Sequence, residues 1–473
     1  MSVLSDIRGH AQKLRSFIPA SLRYGALYRR TLTALEKSQS FDEDRLRDLQ
    51  RGELRRLLRH AFEQVPYYRE AMQAAGLRPE EVRGPQDLLA LPLLTKEIIT
   101  TRMPELVAGN FGPARCLRRT TGGTSGTPLG FVVERGRTDP LERAFIARAW
   151  GWLGVRFEDR SVILKGQVVA PKDLRAGRFW QTCYPERDWT FFSSHHLTAE
   201  NLPAYARKIQ ELQPVFIQSF PAGLDVLARH WIQEGLPPLA GLRLVHVASE
   251  TLRTDQRERF ERAFGARVFS NYGQSECAVL ASECEHDHAY HVFPEYGVTE
   301  ILRVDGTPTA PGEIGEIVGT GFNNYALPMI RYRTGDLAAW SRRRCVCGRA
   351  FPLLERLEGR GQDVVVARDG HIMPLNALIF GTHLEEYARL KEMQVRQERP
   401  GEITLAVVPY PDYSGDTARG IRSKLEAVAD GGLTVRVEVV PDIPRTKSGK
   451  FKLLVQKLPA TWWGGYAPVE RED

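Results

Sequence analysis

The stretch TTGGTSGTP (120–128) gathers glycines and hydroxyl side chains where no core strand or helix wants them. A turn of that composition exposes backbone N–H groups, and its Thr and Ser hydroxyls add further donors, so it can cradle a phosphate. It is not a P-loop, which requires G-x-x-x-x-G-K-[ST]: the loop holds no lysine, and Thr127 follows Gly126. Gly449-Lys450 fails as well, because Phe451 follows it and Pro444 stands where the first glycine belongs. Taken alone, such a loop is more often a mobile surface connection. Three further stretches present side chains able to do chemistry. SNYGQSE (270–276) leaves a strand-like run and offers Tyr272 and Glu276; IRYRTGDL (330–337) sets Asp336 in a Thr-Gly turn; PRTKSGKFK (444–452) carries Lys450 in an exposed basic turn. Each also has a plain structural reading, as a strand-end turn, a capped turn and a solvated tail.

Six cysteines spread over 473 residues do not make a disulfide framework. Their positions say more. CVCG (345–348) is a tight turn that can aim Cys345 and Cys347 at one point, and CEHDHAYH (284–291) supplies Cys284 and three histidines. Together they can close a Cys₃His tetrahedron around zinc, with no open position and hence a structural role. The competing reading is a group of reduced thiols, which the C-x-C spacing favours over a C-x-x-C one. Among His286, His288 and His291, His291 is the preferred ligand because it directly precedes the strand-like VFPEYGVTEIL. Cys116, Cys183 and Cys277 have no partner at ligand spacing and read as buried thiols.

The elements that must position these groups follow from periodicity. Leu54, Leu57, Leu58, Ala61, Phe62 and Val65 fall on one face of a helix that Pro66 ends. Between 160 and 350, short apolar runs (SVILKG, PVFIQSF, LRLVHVAS, ARVFSNYG) alternate with helical patterns, and Gly265 is placed to close one of those helices. That alternation predicts an α/β layer structure with a largely parallel sheet. After about 360 the pattern changes to KEMQVRQE and EITLAVVP joined by RPG, then a helix and the strand-like LTVRVEVVP, a small α+β unit. The expected domains are 1–359 and 360–473, with LEGRGQDVVV at the boundary. A net charge of +7 over this length is modest, so no nucleic-acid partner is expected. The N-terminus has charges every few residues, and no apolar run reaches about 18 residues, so no membrane span is expected and the protein reads as cytoplasmic.

In this order, the four stretches resemble the adenylate-forming superfamily of acyl- and aryl-CoA ligases. That superfamily has a Thr/Ser/Gly loop, Tyr-Gly-x-Thr-Glu and Thr-Gly-Asp signatures, a Gly-Arg hinge and a terminal Ser-Gly-Lys. LRRLLRHAFEQVPYYREAM, LLALPLLTKEII and LPMIRYRTGDL look like its phenylacetate-CoA ligase family, including relatives linked to capsular polysaccharide biosynthesis. The similarity runs from about residue 50 to 457.

The resemblance implies a large multi-layer adenylating domain followed by a small mobile C-terminal domain. It implies two half-reactions: a carboxylate attacks the α-phosphate of ATP with release of pyrophosphate, then a thiol, most simply that of coenzyme A, displaces AMP. A sugar or amine acceptor, as in capsular or exopolysaccharide assembly, is the alternative. Thr121, Gly122, Gly123, Thr124, Ser125, Gly126 and Thr127 would wrap the β- and γ-phosphates. Glu276, with Thr124, would hold Mg²⁺, a hard ion suited to oxygen ligands. Asp336 would accept from the ribose hydroxyls, while Ser249, Glu250, Thr251 and Tyr272 would frame the adenine and Arg360 would touch the nucleotide from the boundary. The acyl pocket would be lined by parts of QSFPAGLDVLARHW and VASETL. Lys450 would be the catalytic charge, meeting the attacking carboxylate and the α-phosphate. Segments matching ECEHDHAYHV and CVCGRAFPLLERLEGR belong to the family's zinc-containing members. Two departures stand out: Gln362 occupies the usual hinge position, and Leu129 sits where many members carry a lysine.

Overall fold

The computed structural model describes residues 18, 20–120, 129–165, 173, 175–182, 188–360, 364–368, 372–380, 386, 389–429, 431–444 and 452–458. The loop Thr121–Pro128, Gln362, Lys450 and Cys183 therefore lie outside the described residues. The strands that flank the loop, β1 (Cys116–Thr120) and β2 (Gly130–Glu134), pair antiparallel with Thr120 opposite Gly130.

The amphipathic helix begins earlier than its apolar face suggests. It spans Glu43–Gln64, because the Asp42 side chain caps it by accepting from the Arg45 amide. Val65 ends it, and Pro66 then serves as the first residue of the next helix, Pro66–Ala74, where its missing N–H costs nothing. Leu54, Leu57, Leu58 and Ala61 are buried against Leu94, Val298 and Tyr332, each leucine contributing about 1.5–3 kcal/mol by burial.

The centre is a sheet of twelve strands among the described residues. In chain order these are β3 (Ser161–Lys165), β4 (Trp180–Thr182), β5 (Trp189–Ser193), β6 (Phe216–Ser219), β7 (Leu244–Ala248), β8 (Arg267–Gly273), β9 (Leu280–Ser282), β10 (Tyr290–Val292), β11 (Gly297–Leu302), β12 (Ile314–Gly321), β13 (Tyr332–Trp340) and β14 (Leu353–Arg360). Their spatial order is β11-β12-β13-β14-β10-β9-β8-β7-β6-β3-β5-β4. Only β5, β3, β6, β7 and β8 are parallel neighbours. The expectation of a largely parallel sheet is thus corrected. Beyond β8 the strands follow one another without crossover helices, so they pair antiparallel.

Alternation within the parallel strands assigns their two faces. Val162, Leu164, Ile217, Val245 and Val247 face helices Leu202–Leu212, Pro221–Gln233 and Thr254–Phe264, the last closed by Gly265 as expected. Ile163, Phe216, Leu244 and Phe269 pack beneath helix Thr138–Trp152 through Phe145 and Trp150. After β14 comes a smaller α+β region. It holds the hairpin β15 (Val364–Val366) and β16 (Ile372–Pro374), then β17 (Leu390–Arg399), β18 (Glu402–Pro409), β19 (Thr434–Val439) and β20 (Leu454–Gln456) in the order β19-β18-β17-β20. Helix Gly415–Val428 covers this sheet with Ile421 and Leu425. The RPG turn works because Gly401 sits at φ 75°, and a Cβ there would meet that of Arg368 at 2.8 Å. No helix among the described residues is long and apolar enough to cross a membrane.

Candidate active site

β8 ends at Tyr272-Gly273 and delivers a turn carrying Glu276; β13 carries Tyr332 and Asp336. Two tyrosine–carboxylate bonds cross between them in opposite senses. Tyr272 donates to Asp336 Oδ2 at 2.7 Å, and Tyr332 donates to Glu276 Oε1 at 2.7 Å. Burial, reinforced by the Asp336 carboxylate, holds the Tyr272 hydroxyl well above its ordinary pKa, so it stays a donor. Gln274 locks the turn: its amide donates to the Tyr272 oxygen at 2.5 Å while its carbonyl accepts from the Val279 amide at 3.0 Å. Glu276 is buried, and its second oxygen has no protein partner among the described residues. That leaves a hard oxygen donor available.

Asp336 sits in a bulge inside β13 rather than in the Thr-Gly turn expected from RYRTGDL. Glu316 pairs with Leu337 and Val318 with Arg333, so Thr334, Gly335 and Asp336 oppose Ile317 alone. Gly335 takes φ 77°, its amide donates to Glu316 Oε1 at 3.1 Å, and the Thr334 hydroxyl donates to the Ile317 carbonyl at 2.8 Å. The bulge re-aims Asp336 toward Tyr272. Asp336 is also the register partner of Arg360, the last residue of β14.

Ser249, Glu250 and Thr251 form the loop leaving β7, whose Ala248 lies opposite Asn271. Ser249 adopts φ 69°, a left-handed conformation that costs energy in a non-glycine residue and marks many functional loops. Ser249 lines a cavity of about 130 Å³ between the sheet and helix Thr138–Trp152. Gln218 and Phe220 line it as well, and they belong to the stretch named for the acyl pocket. Tyr332, Gln274, Lys165 and His246 were missed by the sequence reading. The signal for Tyr332 was available, four residues before Asp336 in a motif already singled out.

Cys284, His291, Cys345 and Cys347 converge elsewhere, with one potential donor atom from each lying within 4.8 Å of every other. Cys284 Sγ is 3.6 Å from Cys345 Sγ, and Cys347 Sγ is 3.6 Å from His291 Nε2. Both are close to the tetrahedral edge of about 3.8 Å that a Zn–S bond of about 2.3 Å implies. Burial and the nearby Arg349 push the His291 imidazole down to about 4, so it is neutral and able to coordinate. Burial pushes the Cys284 thiol up to about 12, which a cation at the cluster would reverse. His288 instead faces Glu283, with 3.2 Å between ring Nδ1 and carboxylate. The donor set fits zinc. Of the remaining cysteines, Cys277 is buried, whereas Cys116 is only partly so.

Residues 190–325 match the AMP-binding enzyme family, and residues 375–457 match the CapK C-terminal domain. The chain is 24% identical to the phenylacetate-coenzyme A ligase of Thermus thermophilus, over 88% of this chain and 97% of the relative. It is 29% identical to that of Escherichia coli, over 73% and 78%. These matches support placing the chain with the adenylate-forming enzymes of the phenylacetate-CoA ligase-like branch. The chain is also 21% identical to Protein CapK of Staphylococcus aureus, over 83% of this chain and 85% of the relative. The fold is shared with a solved 2-hydroxyisobutyryl-CoA ligase in the postadenylation state. That structure superposes with a TM-score of 0.70 at 18% identity, covering 88% of this chain and 90% of the other.

Proposed function

We propose that the protein activates a carboxylic acid with ATP, releases pyrophosphate, and passes the acyl group from its adenylate to a thiol, that of coenzyme A. The reciprocal pairing of Tyr272 with Asp336 and Tyr332 with Glu276 carries this reading. It fixes two acids beside the carboxyl end of β8, the kind of place where an open α/β sheet binds ligands. Asp336 accepts from the ribose hydroxyls, with Tyr272 holding its second oxygen in place. Ser249, Glu250 and Thr251 frame the adenine. Glu276, joined by Thr124 from the glycine loop, holds Mg²⁺, which neutralises phosphate charge when bound. The loop residues 121–127 donate to the β- and γ-phosphates, and Lys450, from a mobile C-terminal domain, meets the charge that builds at the α-phosphate. Arg360 approaches the nucleotide from the ladder position opposite Asp336. The Cys284–His291–Cys345–Cys347 set holds a structural zinc ion.

The products decide the reaction. With ATP, Mg²⁺ and a panel of carboxylic acids, pyrophosphate appears with a suitable acid, and AMP accumulates when CoA is added. ADP and phosphate as the products would overturn the reading, because cleavage would then lie at the wrong phosphorus. A second acceptor class, a sugar or an amine, is the alternative that the resemblance to capsular polysaccharide relatives implies. AMP release stimulated by such an acceptor and not by CoA would select it.

Asp336→Ala is expected to raise the KM for ATP by about 10- to 100-fold, the scale of losing hydrogen bonds to a charged group. Tyr272→Phe should raise it less, since the carboxylate remains. An unchanged KM in Asp336→Ala, measured by pyrophosphate release, would remove the ribose assignment.

A further inference from the structure

The cavity between the sheet and helix Thr138–Trp152 has a lining that a simple hydrocarbon acid does not explain. Across β3, β6 and β7, Ile163 is opposite Gln218, and Gln218 is opposite His246. Strand alternation then puts Lys165 on the same face, two residues further along β3. Along each strand this face changes character towards the carboxyl end. Ile163 gives way to Lys165, Phe216 to Gln218, Leu244 to His246 and Phe269 to Asn271. The first row is packed core under Trp150; the second lines the cavity.

A polar row under a helix is costly unless something satisfies it. Among the described residues, no carboxylate pairs with Lys165. Enclosure, with the Arg143 cation nearby, pulls its ammonium down to about 8, which leaves it mostly charged at neutral pH. His246 is buried, its Nδ1 has no hydrogen-bond partner among the described residues, and burial together with Lys165 pushes it down to about 3. The cavity thus offers a cation, a neutral imidazole and the Gln218 and Asn271 amides, with Trp150 and Phe293 as apolar walls. Among the described residues that line it, the one charged side chain is Lys165.

We propose that Lys165 receives a second oxygen group of the acid being activated. The substrate would then be a carboxylic acid whose far end bears a carboxylate or hydroxyl, not a plain alkyl or aryl acid. This rests on the adenylation reading and names its substrate class. Lys165 is a specificity residue: its ammonium donates to the distal oxygen, while Trp150 and Phe293 cover the carbon skeleton between the two ends. A plain acid of equal size would bury the same skeleton and leave the ammonium unpaired, the situation in which polar sites discriminate most strongly.

The test measures pyrophosphate release with size-matched pairs, 4-methylpentanoate against succinate and 4-methylphenylacetate against 4-hydroxyphenylacetate. Wild-type protein should favour the oxygenated member of at least one pair by about tenfold or more in kcat/KM. Lys165→Met should reduce that ratio to within about twofold while leaving the KM for ATP unchanged, and Lys165→Arg should retain part of it. Preference for the plain acids, or an equal ratio in wild type and Lys165→Met, would overturn the proposal. The wild-type ratio decides by itself if a variant does not fold. Pyrophosphate release without preference sinks this proposal alone, whereas no release with any acid sinks the adenylation reading and this one with it.

Discussion

Lys450→Ala should slow adenylate formation by about 10²-fold or more, the scale of removing one preorganised donor from a transition state. An ammonium on a flexible stem can follow charge as it moves from the attacking carboxylate to the α-phosphate, which a fixed guanidinium fork does less well. ATP affinity should change little, because Glu276 and Asp336 remain in place. The second half-reaction, begun from a pre-made acyl-adenylate, should be largely spared if the C-terminal region turns away between steps. The chain just beyond Lys450 is pinned. The Lys452 carbonyl accepts from Gln394 at 3.0 Å, and β20 runs parallel to β17. Lys447→Ala and Lys452→Ala are therefore the controls, neighbouring charges that a merely basic surface would make equivalent. Equal, small effects of all three on single-turnover adenylation would end the catalytic assignment.

Cys345→Ser should abolish metal binding and lower Tm by about 5 °C or more, because structural zinc contributes folding energy directly. Protein purified without chelator should carry about one zinc per chain, read by elemental analysis. Cys284→Ser should behave alike, while His288→Ala should keep the metal, since His288 faces Glu283 instead. The cluster ties the turn after β9 to the β13–β14 connection, so losing it should loosen the frame that carries Asp336. Wild-type protein stripped of metal and melting at the same temperature as the metal-bound form would dismiss the site.

Much of the parallel half was legible in the sequence. SVILKG, PVFIQSF, LRLVHVAS and ARVFSNYG all became strands, because fully buried strands read as continuous apolar runs. The antiparallel half was legible only in part: VFPEYGVTEIL contains β11, but β9 and β10 span three residues each and carry no period to read. The residues around Asp336 were visible as a motif, but their bulge was not. A bulge is decided by the partner strand, here by Glu316 receiving the Gly335 amide and the Arg333 guanidinium. Lys165 escaped because it ends an otherwise apolar run, where one polar residue looks like a boundary, and His246 because it interrupts one between Val245 and Val247. Reading alternate positions from the carboxyl end of each strand would have exposed them. Spacing alone could not choose among His286, His288 and His291, which lie within six residues; only the fold brings His291 beside the cysteines.

The junction at β8 divides the molecule's tasks in a way that matters for how such an enzyme can diversify. β3, β6 and β7 share no ladder with β12, β13 or β14; β8, β9 and β10 stand between them. On the proposed assignment, choice of acid is written on the cavity face of the first group, and the ribose contact Asp336 belongs to the second, while the adenine loop, residues 249–251, follows the end of β7. Substitutions at Lys165, Gln218 or His246 can then accumulate without disturbing the bulge that aims Asp336 or the turn that carries Glu276. A lineage, or an engineer, could exchange the acid and keep the activation chemistry. Libraries restricted to those three positions should yield folded, ATP-competent variants more often than libraries of equal size drawn from β13.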